Sequence, residues 1–298
     1  MTNNSLLIVG SIALDLIETP QGRKENVIGG STTYGLIAAG RSIPVSIVGV
    51  IGDDFPQTGH DLYDTYASNL NDLQILEGMT FRWGGRYHEN WDERDTLYTE
   101  LGVFADFNPT LSPSNQKCSH IFLANIHPAL QQSVMDQNQN GKAMIVVDTM
   151  NLWINIALEE LKRVLSGSNA LLINESEAAM LTGFDSAESC ARALQDLGLQ
   201  TVVIKKGSRG AELFSNDEHI TIGAFPVKQV IDPTGAGDTF GGGFIATLAS
   251  GGSMADAMVE GSALASLCVE GFGTERILSA SGDEINQRIA YLKSTVKS

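Results

Sequence analysis

The chain has 298 residues, of which 43% are hydrophobic and 18% are charged. A chain of this length and composition can bury a large core, which argues against extensive disorder. The formal net charge of −16 argues against the phosphate backbone of a nucleic acid as a partner.

The N-terminus and the cysteines indicate the compartment. Residues 1–5 lack a basic region, and the apolar run of residues 6–9 is too short for a signal peptide or a membrane span. Cys118, Cys190 and Cys268 are widely spaced and odd in number, which predicts reduced, mostly buried thiols rather than disulfides or a zinc site. We therefore expect a cytoplasmic protein without a membrane partner.

Short apolar runs recur along the chain and predict buried strands. They are rich in Val, Ile and Leu and do not alternate with polar residues, which is typical of a parallel sheet covered on both faces. The predicted strands are Leu6–Gly10, Val45–Val50, His120–Leu123, Ala143–Val147, Ala170–Ile173 and Thr201–Ile204.

Helical patterns separate these strands. The predicted helices are Thr32–Gly40, Gln57–Leu70, Pro128–Asp136, Leu152–Leu165, Ser176–Leu181, Ala187–Leu197, Thr239–Ala249, Met254–Cys268 and Asp283–Leu292. Alternation of strands and helices on this scale predicts a doubly wound α/β fold, a mostly parallel sheet with helices on both faces. Ligands in such folds bind at the carboxyl ends of the strands.

Two segments, Ala13–Ile28 and Thr80–Val103, interrupt the alternation because they mix charged and aromatic residues with apolar ones. They predict short, half-exposed antiparallel strands that form one small sheet, a lid over the active site. The alternative is an ordinary surface hairpin with exposed aromatic side chains. No Pro-, Ser- or Gly-rich linker is present, so one domain with a lid is the simplest interpretation.

The stretch Asp232–Phe240 is the most informative part of the sequence. Gly235, Ala236 and Gly237 leave the backbone N–H groups accessible just before a predicted helix, and such a helix N-terminus can bind a transferring phosphoryl group. Asp238 would repel a phosphate, so it is predicted to be the base that takes a proton from an attacking hydroxyl group. The alternative is a structural glycine-rich turn with an acidic cap.

Six motifs in this chain resemble, in the same order, those of the ribokinase/PfkB family of carbohydrate and nucleoside kinases. They are Gly10–Asp15, Gly29-Gly30, Gly49–Asp54, Asn174–Glu177, Gly207–Gly210 and Asp232–Phe240. The resemblance covers essentially the whole chain. It implies a three-layer, ribokinase-like α/β fold in a single domain of residues 1–298, with lid strands within about residues 13–28 and 80–103.

On the substrate side, the resemblance implies that Asp15 hydrogen-bonds to substrate hydroxyl groups, or else caps the end of its strand. It also implies that the backbone at Gly29 and Gly30 lies against the sugar. Many sugar kinases of the family carry Asn where this chain has Tyr34. Together with Trp83 in the lid, Tyr34 suggests a flat substrate part such as a nucleobase, which stacks well on aromatic rings.

Two alternatives remain on this side of the site. The Tyr34 ring can pack into the core of its own helix and leave the substrate to other residues. Arg82 and Arg86 in the lid keep open a substrate that already bears a phosphate.

For the nucleotide, the resemblance implies that ATP lies along the turn of Gly207, Ser208 and Gly210 and along a late segment containing Phe272 and Gly273, with Gly235 and Gly237 at its phosphates. Lys205 stands near a position where family members often carry Thr. Its charge can therefore lie near the phosphates, or it can be a solvated strand end.

Two pairs of residues are the expected metal ligands. The resemblance implies that Asn174 and Glu177 organise Mg²⁺ and its waters, whereas the alternative is an acidic charge at a helix N-terminus. Asp232 and Thr234 supply the oxygen ligands that a monovalent cation needs. In the family such an ion, K⁺ or a similar one, lies beside the anion-binding loop and stiffens it.

These observations predict an ATP-dependent kinase that phosphorylates an alcohol group of a small sugar-containing substrate, with a nucleoside slightly favoured. The alternatives are a kinase for ribose, fructose or a sugar phosphate, and a non-catalytic nucleotide-binding sensor. The expected partner is the small-molecule sugar or nucleoside, and a homodimer formed through the lid is left open.

Overall fold

Thirteen strands and eleven helices make up the computed structural model, which describes residues 5–91 and 94–298. The strands are β1 Leu6–Val9, β2 Ala13–Thr19, β3 Gly22–Gly29, β4 Val45–Gly52, β5 Asn69–Leu76, β6 Arg82–Tyr87, β7 Arg94–Glu100, β8 His120–Leu123, β9 Met144–Asp148, β10 Ala170–Asn174, β11 Thr201–Lys205, β12 Ala211–Ser215 and β13 His219–Ile222.

The helices connect these strands, as the alternating sequence pattern predicts. They are α1 Ser31–Ala39, α2 Gln57–Tyr66, α3 Pro128–Gln137, α4 Asn151–Ile156, α5 Leu158–Ser166, α6 Glu175–Thr182, α7 Ala187–Gln195, α8 Ala236–Ala249, α9 Met254–Cys268, α10 Glu275–Ser279 and α11 Gly282–Lys293.

Nine strands form the central sheet, in the order β13-β12-β11-β10-β9-β8-β1-β4-β5. The pairings from β11 to β5 are parallel, and only β12 and β13 join in an antiparallel sense. Successive residues of β1 face opposite ways: Leu6 and Ile8 pack into one hydrophobic cluster and Leu7 and Val9 into the other. The sheet therefore lies between two helical layers, which confirms the predicted three-layer α/β fold.

The remaining four strands form a second, small sheet in the order β3-β2-β6-β7. We refer to β2, β3, β6 and β7 as the lid. The outer pairs are antiparallel, but β2 and β6 run parallel to each other, so the prediction of purely antiparallel strands is wrong for the central pair. The two parts of the lid are far apart in the sequence, and this separation makes a parallel pairing possible.

The structure corrects the predicted elements in three places. The helix predicted over Gln57–Leu70 ends at Tyr66, because Ala67 is extended and the following residues form edge strand β5. The helix predicted over Leu152–Leu165 is two helices, divided at Ala157, whose backbone is not helical. Strands β12 and β13 and helix α10 are additional to the predicted elements.

Within the described parts of the chain, none of the helices combines the length and the apolar character that a membrane span requires.

Candidate active site

The candidate site lies where β9, β10 and β11 end and where helix α8 begins. Gly235 is the N-cap of α8, and it supplies no side-chain cap. Its φ of 75° lies in the left-handed region, and a Cβ there would overlap the ring of Tyr34. Only glycine satisfies both constraints. The turn leaves the N–H end of α8 open toward the carboxyl ends of the strands.

The three residues predicted to bind the phosphoryl group occupy this turn, and one of their N–H groups already has a hydrogen-bond partner. The N–H group of Ala236 donates to the carbonyl oxygen of Pro233 at 3.2 Å. Gly237 follows it in the first turn of α8. The roles of Gly235, Ala236 and Gly237 toward a phosphoryl group stay a prediction.

Asp238 lies in the first turn of α8, half-buried. Burial, reinforced by the charge of Asp148, raises the pKa of Asp238 to about 7, while Lys205 acts in the opposite direction. A carboxylate with a pKa near neutrality can accept a proton more readily than an ordinary aspartate and still be ionised above that pH.

Lys205 forms an ion pair with Asp148, which the sequence analysis did not identify. Its Nζ lies 3.3 Å from both carboxylate oxygens. The same Nζ lies 3.0 Å from the point where a Cβ of Gly237 would be. Lys205 therefore reaches the N-terminus of α8 and is not a solvated strand end. Burial favours a lower pKa for Lys205, but the carboxylates of Asp148 and Glu177 outweigh it and raise the pKa.

Asn174 and Glu177 lie together at the start of α6 and form a capping box. The Asn174 side chain accepts from the N–H group of Glu177 at 2.8 Å, and a Glu177 oxygen accepts from the N–H group of Asn174 at 3.2 Å. Burial raises the pKa of Glu177, and Lys205 opposes that effect. Across residues 5–91 and 94–298, no three His, Cys, Asp or Glu side chains converge as metal ligands. Mg²⁺ that keeps most of its waters needs few carboxylates, so the pair fits such an ion through water.

Asp232 is fully buried and connects two loops. One oxygen accepts from the N–H group of Thr234 at 2.9 Å and the other from the N–H group of Gly273 at 2.8 Å. Burial raises the pKa of Asp232, and these hydrogen bonds oppose the rise. In the described part of the chain no cationic side chain pairs with it. A buried carboxylate without a cationic partner suits a bound cation.

Thr234 itself turns toward the lid. Its hydroxyl group lies 3.2 Å from the hydroxyl group of Tyr87, and its carbonyl oxygen lies 3.4 Å from the thiol of Cys268. The predicted cation ligand is thus also a link between the turn before α8 and strand β6.

Asp15 extends from β2 and is 3% exposed. Burial, with the charges of Asp232 and Asp238, raises its pKa to about 8. A Cβ at Gly29 would overlap the Asp15 carboxylate, and Gly30 is the N-cap of α1. The first glycine signature thus lies directly beside the predicted substrate ligand, Asp15.

Tyr34 is 1% exposed, and its ring lies against Gly235. Its hydroxyl group is buried and has no hydrogen-bond partner among the described residues. This packing agrees with the alternative that the Tyr34 ring lies in the core. The ring presents no surface to a substrate in this structure. A contact between Tyr34 and the substrate stays a prediction.

The lid places Trp83 in register with Asp15. Two arginines that were considered as phosphate ligands are already paired. Arg82 donates to Asp54 at 2.7 Å, and Arg86 donates to Glu18 at 2.7 Å. Neither of these guanidinium groups is available to a substrate phosphate without losing its ion pair.

The predicted nucleotide residues also lie near this edge. Gly207 and Ser208 lie in a short 3₁₀ turn, Gly207–Arg209, which begins two residues after the end of β11 and is capped by Gly210. Gly273 is held by Asp232, and the Phe272 ring lies 3.5 Å from the Cβ position of Gly22 in the lid. Their contacts with a nucleotide stay a prediction.

A helix N-terminus, a carboxylate of near-neutral pKa and a lysine at the same turn are the parts that a site for phosphoryl transfer needs. Comparisons with known proteins agree with this class. The model of the pfkB family carbohydrate kinases matches residues 102–280. The chain belongs to this family, and it is an ATP-dependent kinase of the ribokinase type whose acceptor is a sugar or a nucleoside.

Individual relatives and structures support the assignment. The cytidine kinase of Thermococcus kodakarensis is 28% identical over 252 residues, which cover 83% of this chain and 89% of that protein. A putative ribokinase II from E. coli in complex with ATP and Mg²⁺ superposes with a TM-score of 0.81, at 18% identity, over 96% of this chain and 99% of that one. The nucleoside kinase of Burkholderia thailandensis, in complex with inosine, superposes with a TM-score of 0.77, at 18% identity, over 96% and 98% of the two chains.

The pKa of Asp238 leads to a prediction about pH. A base must be ionised to act, so kcat/KM should fall about tenfold per pH unit below about pH 7. Asp148→Asn removes a charge that raises this pKa and should move the acid limb to lower pH, whereas Lys205→Met should move it to higher pH. Rate profiles between about pH 5 and about pH 9 measure this. If the acid limb stays at the same pH in both variants, Asp238 is not the base. Asp185→Asn, at an exposed position, is the control.

Proposed function

We propose that the protein transfers the γ-phosphoryl group of ATP to a hydroxyl group of a nucleoside, with Asp238 as the base. One observation carries the proposal: Asp238, with a pKa of about 7, lies at the open N-terminus of α8, and the Lys205 ammonium reaches the same turn. A base for the attacking hydroxyl and positive charge for the phosphoryl group are the two parts that such a transfer needs.

The reaction follows from this arrangement. Asp15 accepts a hydrogen bond from the substrate and fixes its sugar, and Asp238 takes the proton as the hydroxyl oxygen attacks the γ-phosphorus in line. The N–H groups of Gly235 and Gly237, with that of Ala236 released from Pro233, and the Lys205 ammonium stabilise the charge on the phosphoryl oxygens. Mg²⁺, organised through water by Asn174 and Glu177, supplies further neutralisation of the phosphates when bound.

ATP lies along the turn of Gly207, Ser208 and Gly210 and reaches the late segment at Phe272 and Gly273. The lid covers the acceptor and excludes water, which would otherwise compete as an acceptor. Closure over the bound acceptor therefore protects ATP from hydrolysis during the transfer.

A nucleoside is favoured over a free sugar for two reasons. The relatives include a cytidine kinase and a nucleoside kinase in complex with inosine. The lid also places Trp83 in register with Asp15, so an aromatic residue stands beside the group that holds the sugar. A sugar phosphate is disfavoured because Arg82 and Arg86 are held in ion pairs.

Replacement of the base tests the proposal. Asp238→Asn should lower kcat by roughly 10²–10⁴-fold, the usual loss of a general base, with ATP binding largely kept. A coupled assay of ADP release over a panel of nucleosides and sugars measures kcat, and ATP titration followed by fluorescence measures binding. The control is Asp185→Asn, an exposed carboxylate. Near-normal kcat in a folded Asp238→Asn variant would show that Asp238 is not the base.

The two neighbouring lysines offer a matched pair of variants. Lys205→Met should raise KM for ATP and lower kcat, together by roughly 10²–10³-fold in kcat/KM, because a charge that stabilises the transferring phosphoryl group is lost. Lys206 pairs with Glu212 instead, so Lys206→Met should stay close to the wild type. Steady-state kinetics with varied ATP decide the matter. Equal losses in both variants would mean that Lys205 acts only through general charge or folding.

The carboxylate of Asp232 leads to a prediction about a monovalent cation. Activity should rise when K⁺ replaces a bulky organic cation at constant ionic strength, and the melting temperature should rise with it, because a bound ion offsets a buried charge. Asp232→Ala should abolish both rises. Constant ionic strength matters because any salt screens the repulsion between ATP and an acidic protein. A wild-type rate and melting temperature that are indifferent to K⁺ would mean that Asp232 and Thr234 only shape the turn.

A further inference from the structure

The lid contains three arginines, and they differ in what they contact. Arg82 and Arg86 are held by Asp54 and Glu18. Arg94, the first residue of β7, is exposed and forms no ion pair with any residue of the described ranges, 5–91 and 94–298. Arg94 instead pairs in register with Tyr87 of β6, and its guanidinium carbon lies 4.9 Å from the centre of the Trp83 ring.

Trp83 provides a flat support for this guanidinium group. A Cβ at Gly85 would overlap the six-membered part of the Trp83 ring, so the ring lies over the strand at Gly85. Arg94 covers the ring as a second layer. The lid therefore presents the Arg94 guanidinium group, which lies over the Trp83 indole, rather than a bare aromatic face.

Arg94 lies on the acceptor side of the proposed reaction centre, because the Trp83 ring that it covers belongs to a residue in register with Asp15. Its charge acts on the carboxyl groups of both Asp15 and Asp238, lowering the pKa of each. These carboxylates accept hydrogen bonds from hydroxyl groups, so they hold the sugar of a substrate. Arg94 has only donors, so the part of the substrate that it binds must offer acceptors.

The local charge indicates which acceptor is bound. Asp238 must be ionised to act as the base, so its charge offsets that of Arg94. The Lys205 ammonium is already paired with Asp148, so the acceptor side carries no net positive charge. A phosphate would be repelled, whereas a neutral carbonyl oxygen would not. A guanidinium group can also lie flat over a base while its edge donates hydrogen bonds.

We propose that Arg94 is the specificity-determining residue of the acceptor site, binding a carbonyl oxygen of a nucleobase and favouring neutral oxo-bases over adenine. This inference rests on the proposed nucleoside kinase function. It gives Trp83 the role of a positioning residue that holds Arg94.

Inosine and adenosine test the inference, because the base of inosine has an oxo group at C6 and a proton on N1, whereas that of adenosine has an amino group at C6 and no proton on N1. The wild type should phosphorylate inosine, cytidine and uridine with a higher kcat/KM than adenosine. Arg94→Met should lower kcat/KM for these three by roughly 10- to 100-fold, the effect of losing one hydrogen bond to a charged group. Adenosine should change by less than about threefold, since it does not offer that carbonyl.

Three variants complete the design. Arg86→Met removes a lid arginine that is paired with Glu18, and it should leave the ratio of inosine to adenosine unchanged. Arg94→Lys should restore part of the ratio, because an ammonium group donates without the planar fork. Trp83→Leu should lower the same ratio, because it removes the ring that holds Arg94 in position. Melting temperatures verify that each variant is folded.

The contrary outcomes are distinct from one another. If the wild type phosphorylates nucleosides and Arg94→Met loses the same factor in kcat/KM for inosine and adenosine, the role of Arg94 is overturned. The nucleoside kinase function then still stands. Turnover of free sugars but of no nucleoside would overturn both. A sugar phosphate as the best acceptor, lost in Arg94→Met, would show that Arg94 binds a phosphate and would overturn the carbonyl assignment.

Discussion

Three aspartates share the interior of the site, and the balance of their charge is the constraint on which the other features depend. Burial raises the pKa of Asp15, Asp232 and Asp238 alike, because a carboxylate loses hydration there. A buried negative charge persists only when a proton or a cation balances it. A proton on Asp15, a cation at Asp232 and Lys205 near Asp238 are three ways to meet this requirement. With the proposed ion at Asp232, the proposed base Asp238 would be available for catalysis because its neighbours are neutralised separately.

Close packing around the start of α8 fixes the direction of the N–H groups. The Tyr34 ring fills the space that a side chain at position 235 would need, and the Tyr87 hydroxyl holds Thr234 from the lid side. Tyr34 stands where many sugar kinases of the family carry an amide that contacts the sugar. Here the larger residue reaches the phosphoryl-binding turn instead. We propose that this packing stiffens the turn and leaves recognition of the acceptor to the lid.

The sequence predicts the strands of the central sheet that are apolar on both faces, because such runs leave no ambiguity. The edge strands β5 and β13 are not predicted, because at least half of the residues in each are not buried. In β5 the spacing of Leu70 and Leu73 also resembles that of a helix. The same holds within the site. Asn174 and Glu177 are three residues apart, so their proximity is predictable. Asp148 and Lys205 come together only because β9 and β11 flank β10, and Arg94 meets Trp83 only through the register of β6 and β7.

The lid also contacts the segments beside the proposed nucleotide site. Thr19 donates to the carbonyl oxygen of Ile231 at 2.9 Å, just before the signature at Asp232, and Lys24 pairs with Glu275 at 2.7 Å. Exposed ion pairs of this kind contribute only about 0–1 kcal/mol. The lid is therefore held to the phosphoryl-binding side by weak contacts that can open for substrate exchange. Since Arg94 belongs to the same small sheet, an acceptor that binds Arg94 adds to these contacts, so a correct substrate would also favour the closed site that protects ATP from water.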